Sequence, residues 1–291
     1  MLRDHLIRSR GRSRQTKRSV TPPALFVFVA VIIAQIGIAG PCWAWGKTGH
    51  EVIALIAEKH LTPSAREKIA PILESENSVS LADQSSWADV YRTFHPESAN
   101  WHFVNIPFDS DIYDPARDCP GNDCVIAKTR EYARGLTALP DDLITKGNAL
   151  SFLVHFVADL HQPMHCIERG HDKGGNLVKV KYKGHPTTLH HVWDMELVNS
   201  LGGPDANAIA MMVETYITPE ALKQWSAGTP EAWGTECHGV AVRMAYGKMP
   251  AGDEPELSDA YANLVRPAVI TQLGRAGVRL AGILNAVFSA K

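Results

Sequence analysis

The chain has 291 residues, 45% hydrophobic and 21% charged, with a formal net charge of −2. It is long enough to bury a substantial core, and no low-complexity tract or long linker divides it after the N-terminus, so one large domain is expected. The charge balance excludes binding to polyanions through a broad basic surface.

Residues 1–21 carry seven basic side chains (Arg3, Arg8, Arg10, Arg12, Arg14, Lys17, Arg18) against one acid, Asp4. Ala24 to Gly40 is an uncharged apolar run, followed by Pro41-Cys42-Trp43-Ala44. A basic region, an apolar stretch and a small residue at the end make residues 1–44 read as a secretory signal peptide, cleaved after Ala44 to leave a mature domain of residues 45–291. An uncleaved anchor is the competing reading, because the apolar run sits at the short edge of a membrane-spanning helix. Cleavage implies a secreted or periplasmic protein with no stable membrane association, expected to be a monomer.

Removing the leader leaves 22 basic against 30 acidic side chains, near −8, so any attraction for a polyanion must come from bound cations. Twelve histidines remain, a number most easily understood if several bind metal. The four remaining cysteines, Cys119, Cys124, Cys166 and Cys237, suggest disulfides in an exported chain. The tight loop C-P-G-N-D-C can be closed by Cys119–Cys124, which leaves Cys166–Cys237 by elimination.

Val52, Ile53, Leu55, Ile56 and then Ile69, Ile72, Leu73 recur at helical spacing, with Thr62-Pro63 as the stop and start signal between two helices. Leu81 to Phe94 predicts a third helix, Asn100 to Pro107 a short extended segment, and Ile112 to Asp123 a loop. Val125 to Leu139 is helical, and Ser151 to His165 reads as a buried central helix whose regular hydrogen bonding ends at Pro163. After Gly174-Gly175-Asn176, apolar Val178, Val180 and Tyr182 alternate with Lys179, Lys181 and Lys183, the period of a half-exposed strand that Lys183-Gly184-His185-Pro186 can turn. Leu189 to Leu201 resumes helix, and further helices are broken at Gly202-Gly203-Pro204, Thr218-Pro219 and Gly252 to Pro255. The expected fold class is mainly α, a single helical domain with one small β-hairpin.

Four clusters carry side chains suited to chemistry: W-G-K-T-G-H at 45–50, W-A-D at 87–89 with H-F at 102–103, H-x-x-x-D-x-x-x-x-x-H from His155, and L-H-H-V-W-D at 189–194. His155 and Asp159 are four apart and share a helix face, as do His190 and Asp194. His165, beyond Pro163, is free to face a different ligand. Each cluster alone has a bland reading as a cap, an ion pair or a core histidine, but four in one chain point to metal.

The order and spacing of these motifs resemble the single-strand-specific three-zinc nucleases of fungi and plants, the S-one/P-one nuclease family, which also has bacterial members. The zinc phospholipase C enzymes, which share that family's fold and metal arrangement, are also similar. The resemblance implies a helical domain with a cleft holding three Zn2+ ions. It places one ion on Asp89, His102, His155 and Asp159, and a second on Asp159, His50 and the amino group and carbonyl of Trp45. The third takes His165, His190 and Asp194. Trp45 ligation requires cleavage after Ala44, since an amide nitrogen has no free lone pair.

The resemblance further implies hydrolysis of single-stranded RNA and DNA to 5′-nucleotides, with action on 3′-nucleotides, through a metal-activated hydroxide. Asp89 and Asp159 would act through the metals, and Arg92, which matches W-A-D-x-x-R, would meet the transition-state charge. Asn105 departs from the family's Asp: an amide holds a water but cannot take its proton. Thr188 also departs from the family's Asn. Asn176 is a candidate cleft-lining residue, and Trp101, Phe108, Tyr113 and Tyr182 are candidates for base stacking. The alternative is a zinc phospholipase C, against which Asp194 in L-H-x-x-W-D counts, because that group uses Glu there.

Overall fold

The computed structural model describes residues 45–138 and 143–289. The expected signal peptide (1–44), Leu139 and the last two residues lie outside them. The elements run α1 (Gly46–Lys59), α2 (Pro63–Ser75), α3 (Leu81–Gln84), α4 (Trp87–Phe94), α5 (Pro115–Asp118), α6 (Val125–Ala138) and α7 (Leu143–Asp159). Strands β1 (Lys179–Tyr182) and β2 (His185–Thr188) follow, then α8 (Leu189–His191), α9 (Leu197–Gly202), α10 (Ala206–Glu214), α11 (Pro219–Trp225) and α12 (Pro230–Val240). Strand β3 (Glu256–Leu257) and α13 (Asp259–Val287) complete the chain, and the mainly α architecture is as expected.

Helix starts follow their sequence signals. Thr62, Thr218 and Thr229 each accept a hydrogen bond from the N–H three residues on. Each is followed by proline, whose missing donor is one that a helix start leaves unused. The stretch Leu81 to Phe94 forms two helices instead of one. The Ser80–Asp83 capping box starts α3, and the chain breaks at Ser85-Ser86 before α4. The freed Ser85 carbonyl accepts from His155 Nδ1 at 2.7 Å. Between Pro96 and His102 the chain is a 3-10 helix, so only the second half of the expected 100–107 strand is extended. The Ile112 to Asp123 loop contains α5 and is closed by the Cys119–Cys124 disulfide.

The Cys166–Cys237 pairing is corrected: both are free, buried thiols. Elimination assumed that every cysteine pairs, whereas a buried thiol packs as a small apolar group. Here Cys166 Sγ lies 3.4 Å from the Leu160 carbonyl, and Cys237 Sγ accepts from Gln272 at 3.4 Å.

The hairpin pairs Lys179 with Thr188 and Tyr182 with His185. Lys183 and Gly184 turn it with φ of 49° and 80°, the two positive values that match hairpin twist. Val180 and Tyr182 are buried and Lys179, Lys181 and Lys183 exposed, as the alternation predicts. A third strand, β3, adds parallel to β1 and extends the hairpin into a three-stranded sheet; two residues are too few to register as a period.

Helix α7 holds the domain together. Leu150, Leu153, Val154 and Val157 enter the main core, while Phe152 and Phe156 enter a second core with Cys119, Cys124 and Trp233. The long α13 crosses α1, and the contact is close: a Cβ on Gly277 would lie 2.4 Å from Ile56 Cγ2 and 3.1 Å from the Ile53 carbonyl. Gly277→Ala should therefore lower stability by about 1–3 kcal/mol through overpacking, despite the roughly 1 kcal/mol that alanine gains in a helix. Thermal unfolding checks this, and an unchanged or raised midpoint would show that the crossing relaxes freely.

Candidate metal centre

Four elements deliver the first group of ligands. Helix α1 brings His50, α4 brings Asp89, the 96–102 turn brings His102, and the last turn of α7 brings His155 and Asp159. All five are at most 5% exposed. Asp159 stands at the centre: Oδ1 is 3.0 Å from His50 Nε2, while Oδ2 is 3.0 Å from His102 Nδ1 and 3.2 Å from His155 Nε2. Asp89 Oδ1 lies 3.8 and 3.7 Å from the same two nitrogens. These atoms make two candidate metal sites, His50–His155–Asp159 and Asp89–His102–His155.

The second group forms beyond α7. Helix α7 ends at Asp159, short of the expected Pro163; a 3-10 turn over Pro163–His165 turns His165 inward, and its Nε2 meets His190 Nε2 at 3.1 Å. His190 Nε2 lies 3.3 Å from Asp194 Oδ2, and the three residues form a third candidate site. Around Asp194 the helix widens into a π turn, Val192–Glu196, an irregularity often found at functional sites. Gln162 Nε2 donates to Asp194 Oδ1.

The hydrogen bonds behind the rings decide what the cluster is for. His50, His155, His165 and His190 place Nδ1 against the carbonyls of Gly46, Ser85, His102 and Gly174, at 2.7–2.9 Å. A carbonyl only accepts, so Nδ1 carries a proton, and Nε2 offers a lone pair to a metal whenever the ring is neutral. His165 and His190 thus bring their Nε2 atoms together beside the Asp194 carboxylate, a contact that a shared cation would satisfy. Both oxygens of buried Asp89 lack a hydrogen-bond donor, and Arg92 Nη2 approaches one at 3.3 Å. This all-imidazole and carboxylate donor set fits a divalent metal.

Gly174 earns its place here. It has φ +58°, and a Cβ there would lie 2.3 Å from the Met164 carbonyl and 3.5 Å from His190 Nδ1. Asn176, expected to line the cleft, brings its amide to 3.0 Å from the same nitrogen.

The profile of the S1/P1 Nuclease family matches residues 45–289. The chain belongs to the S1/P1 nuclease family. Endonuclease 2 of Arabidopsis thaliana is 30% identical over 287 residues, covering 91% of this chain and 98% of that protein. Nuclease S1 of Aspergillus oryzae is 28% identical over 279 residues, covering 88% and 96%. Nuclease P1 of Penicillium citrinum is 29% identical over 270 residues, covering 84% and 97%. S1/P1 nucleases are metal-dependent, and three His/Asp clusters that could hold ions are present in this member.

The remaining expected residues are placed as follows. Trp45 is buried, with φ 49° and its indole donating to the Ala158 carbonyl at 3.0 Å, beside Asp159; its own carbonyl accepts from Gly49 N–H. Asn105 is exposed, where water reaches it. His161, on the same segment but outside the three clusters, bonds the Val157 carbonyl and Arg279. Gln162 and the four carbonyl acceptors escaped sequence reasoning. The only signal was Gln162 directly before Pro163, and a backbone carbonyl has no sequence signature.

Burial disfavours charge on His155, but the Asp159 and Asp89 carboxylates outweigh it and hold its pKa up to about 9. Burial, reinforced by His190, holds His165 down to about 4. At pH 7.5 the metal-free protein therefore has His155 as the doubly protonated cation and His165 as the neutral ring. Zinc binding should release about one proton at pH 7.5 and none well above pH 9, because a ligating imidazole must be neutral. Calorimetry in buffers of different ionisation enthalpy measures this, and zinc uptake at pH 7.5 without proton release would contradict it.

Proposed function

We propose that this protein is an exported, zinc-dependent endonuclease that hydrolyses single-stranded RNA and DNA to 5′-nucleotides and also acts on 3′-nucleotides. The observation that carries the reading is the convergence of imidazole nitrogens and carboxylates in three clusters around Asp159 and Asp194, within a chain of the S1/P1 nuclease family. Imidazole nitrogen and carboxylate oxygen suit zinc. When bound, zinc supplies Lewis acidity, lowering the pKa of water toward 7 and offsetting charge on the phosphate.

The chain's own groups do the rest. Trp45, His50, Asp89, His102, His155, Asp159, His165, His190 and Asp194 would hold the three ions. Arg92, tethered to Asp89 and one-fifth exposed, offers a guanidinium to the developing charge on phosphate oxygens. Asn105 holds the attacking water by hydrogen bond without removing its proton. We further propose cleavage after Ala44, which frees the Trp45 amino group, followed by action as a monomer outside the cytoplasm. The Cys119–Cys124 bridge suits an oxidising compartment, and among the described residues no helix is long and apolar enough to cross a membrane.

Purified protein should release 5′-nucleotides from single-stranded RNA and denatured DNA and phosphate from 3′-nucleotides, with much slower attack on duplex DNA. Phosphocholine released from phosphatidylcholine without nucleic-acid turnover would overturn this in favour of a phospholipase C.

A further inference from the structure

Two segments leave the metal centre side by side. Val104 N–H donates to the His165 carbonyl at 2.8 Å, Glu168 N–H to Ile106 at 2.9 Å, and Phe108 N–H to Glu168 at 2.9 Å, with Pro107 and Glu168 in a parallel bridge. One starts beside His102 and the other at His165, and they end together at Phe108 and Arg169.

At that end Arg169 is exposed, with its guanidinium carbon 4.8 Å from the Phe108 ring centre and 5.2 Å from that of Tyr246. The two rings meet edge to face at 5.5 Å. Tyr246 is fixed from behind, its hydroxyl donating to Asp172 Oδ2 at 2.6 Å, and Asp172 Oδ1 accepts from the Arg169 backbone N–H at 3.2 Å. Among the described residues Arg169 takes part in no ion pair. An exposed guanidinium held over two rings, with its N–H donors in no ion pair among the described residues, is prepared for a ligand with both a flat face and a negative charge.

We propose that Phe108, Arg169 and Tyr246 form an accessory nucleotide-binding shelf, which takes a nucleotide of the single strand away from the scissile phosphate. The nucleobase stacks on the outer face of the guanidinium, and the guanidinium edge reaches the adjoining phosphate. Four residues separate His165 from Arg169, on the order of 13 Å at strand rise. Stacked nucleotides cover that at about 3.4 Å each, so the shelf meets a base within about four positions of the cut and fewer in an extended strand. Duplex bases, already stacked on their neighbours, have no free face for the shelf, which therefore adds to discrimination for single strands.

This inference rests on the nuclease reading, and the test separates the two. A dinucleoside monophosphate reaches only the scissile bond, whereas a single-stranded octanucleotide reaches the shelf on either side. For Arg169→Ala the ratio of kcat/KM on the octanucleotide to kcat/KM on the dinucleoside monophosphate should fall about tenfold, through KM. The Kd of the zinc-loaded protein for a phosphorothioate octanucleotide, followed by fluorescence anisotropy, should rise by the same factor. An unchanged ratio, or equal loss on both substrates, would overturn the shelf while leaving the nuclease reading intact. Wild-type protein that cleaves neither substrate would refute the nuclease reading, and the shelf with it.

Discussion

Asp159 is the constraint on which the rest of this structure depends. A fully buried carboxylate is costly unless charge or hydrogen bonds surround it. Here both oxygens are approached by imidazole nitrogens at 3.0–3.2 Å: His50 on one side, His102 and His155 on the other. The same geometry that offsets its burial sets one oxygen beside His50 and the other beside His102 and His155, which is what the proposed bridging role requires. Its pKa follows from that arrangement: burial alone would raise it, but His155, His102 and His50 hold it well below the usual carboxylate range.

Holding three rings around one carboxylate requires that none of them rotates. The Nδ1 contacts to Gly46, Ser85, His102 and Gly174 lock four of the five site histidines. Three of the four acceptors lie where a regular element ends or breaks: the α3–α4 break, the end of the 3-10 turn and the left-handed run at Gly174; Gly46 is the first residue of α1. Irregular backbone leaves carbonyls without intrahelical donors, and the site uses them. Rigid packing of α7 in both cores then fixes where Asp159 points. One segment thus joins both halves of the centre: His155 and Asp159 stay in register on α7, and His165 lies beyond Pro163.

Features with a period were legible in the sequence. His155/Asp159 and His190/Asp194 declared themselves by spacing, the lysine-alternating strand by its period of two, and the helix starts by Thr-Pro. The metal clusters were legible because several weak motifs coincided and resembled a family. What stayed hidden depends on atoms without side-chain identity or on contacts distant in sequence. The carbonyl acceptors are backbone, β3 is too short to show a period, and the break at Ser85-Ser86 falls within a continuous helical pattern. Cys166 and Cys237 were misread because parity counts sulfurs and ignores packing, and the Phe108–Arg169–Tyr246 stack assembles from three distant segments.

The central proposal is that Asp159 would bridge two metal ions while His165, His190 and Asp194 would hold a third independently. Metal content per chain and anomalous diffraction at the zinc edge, compared for wild type and Asp159→Asn, test it most directly. The account predicts three ions in the wild type and, in the variant, loss of both ions beside residue 159 with the third retained. A variant that keeps both ions of the pair would contradict it.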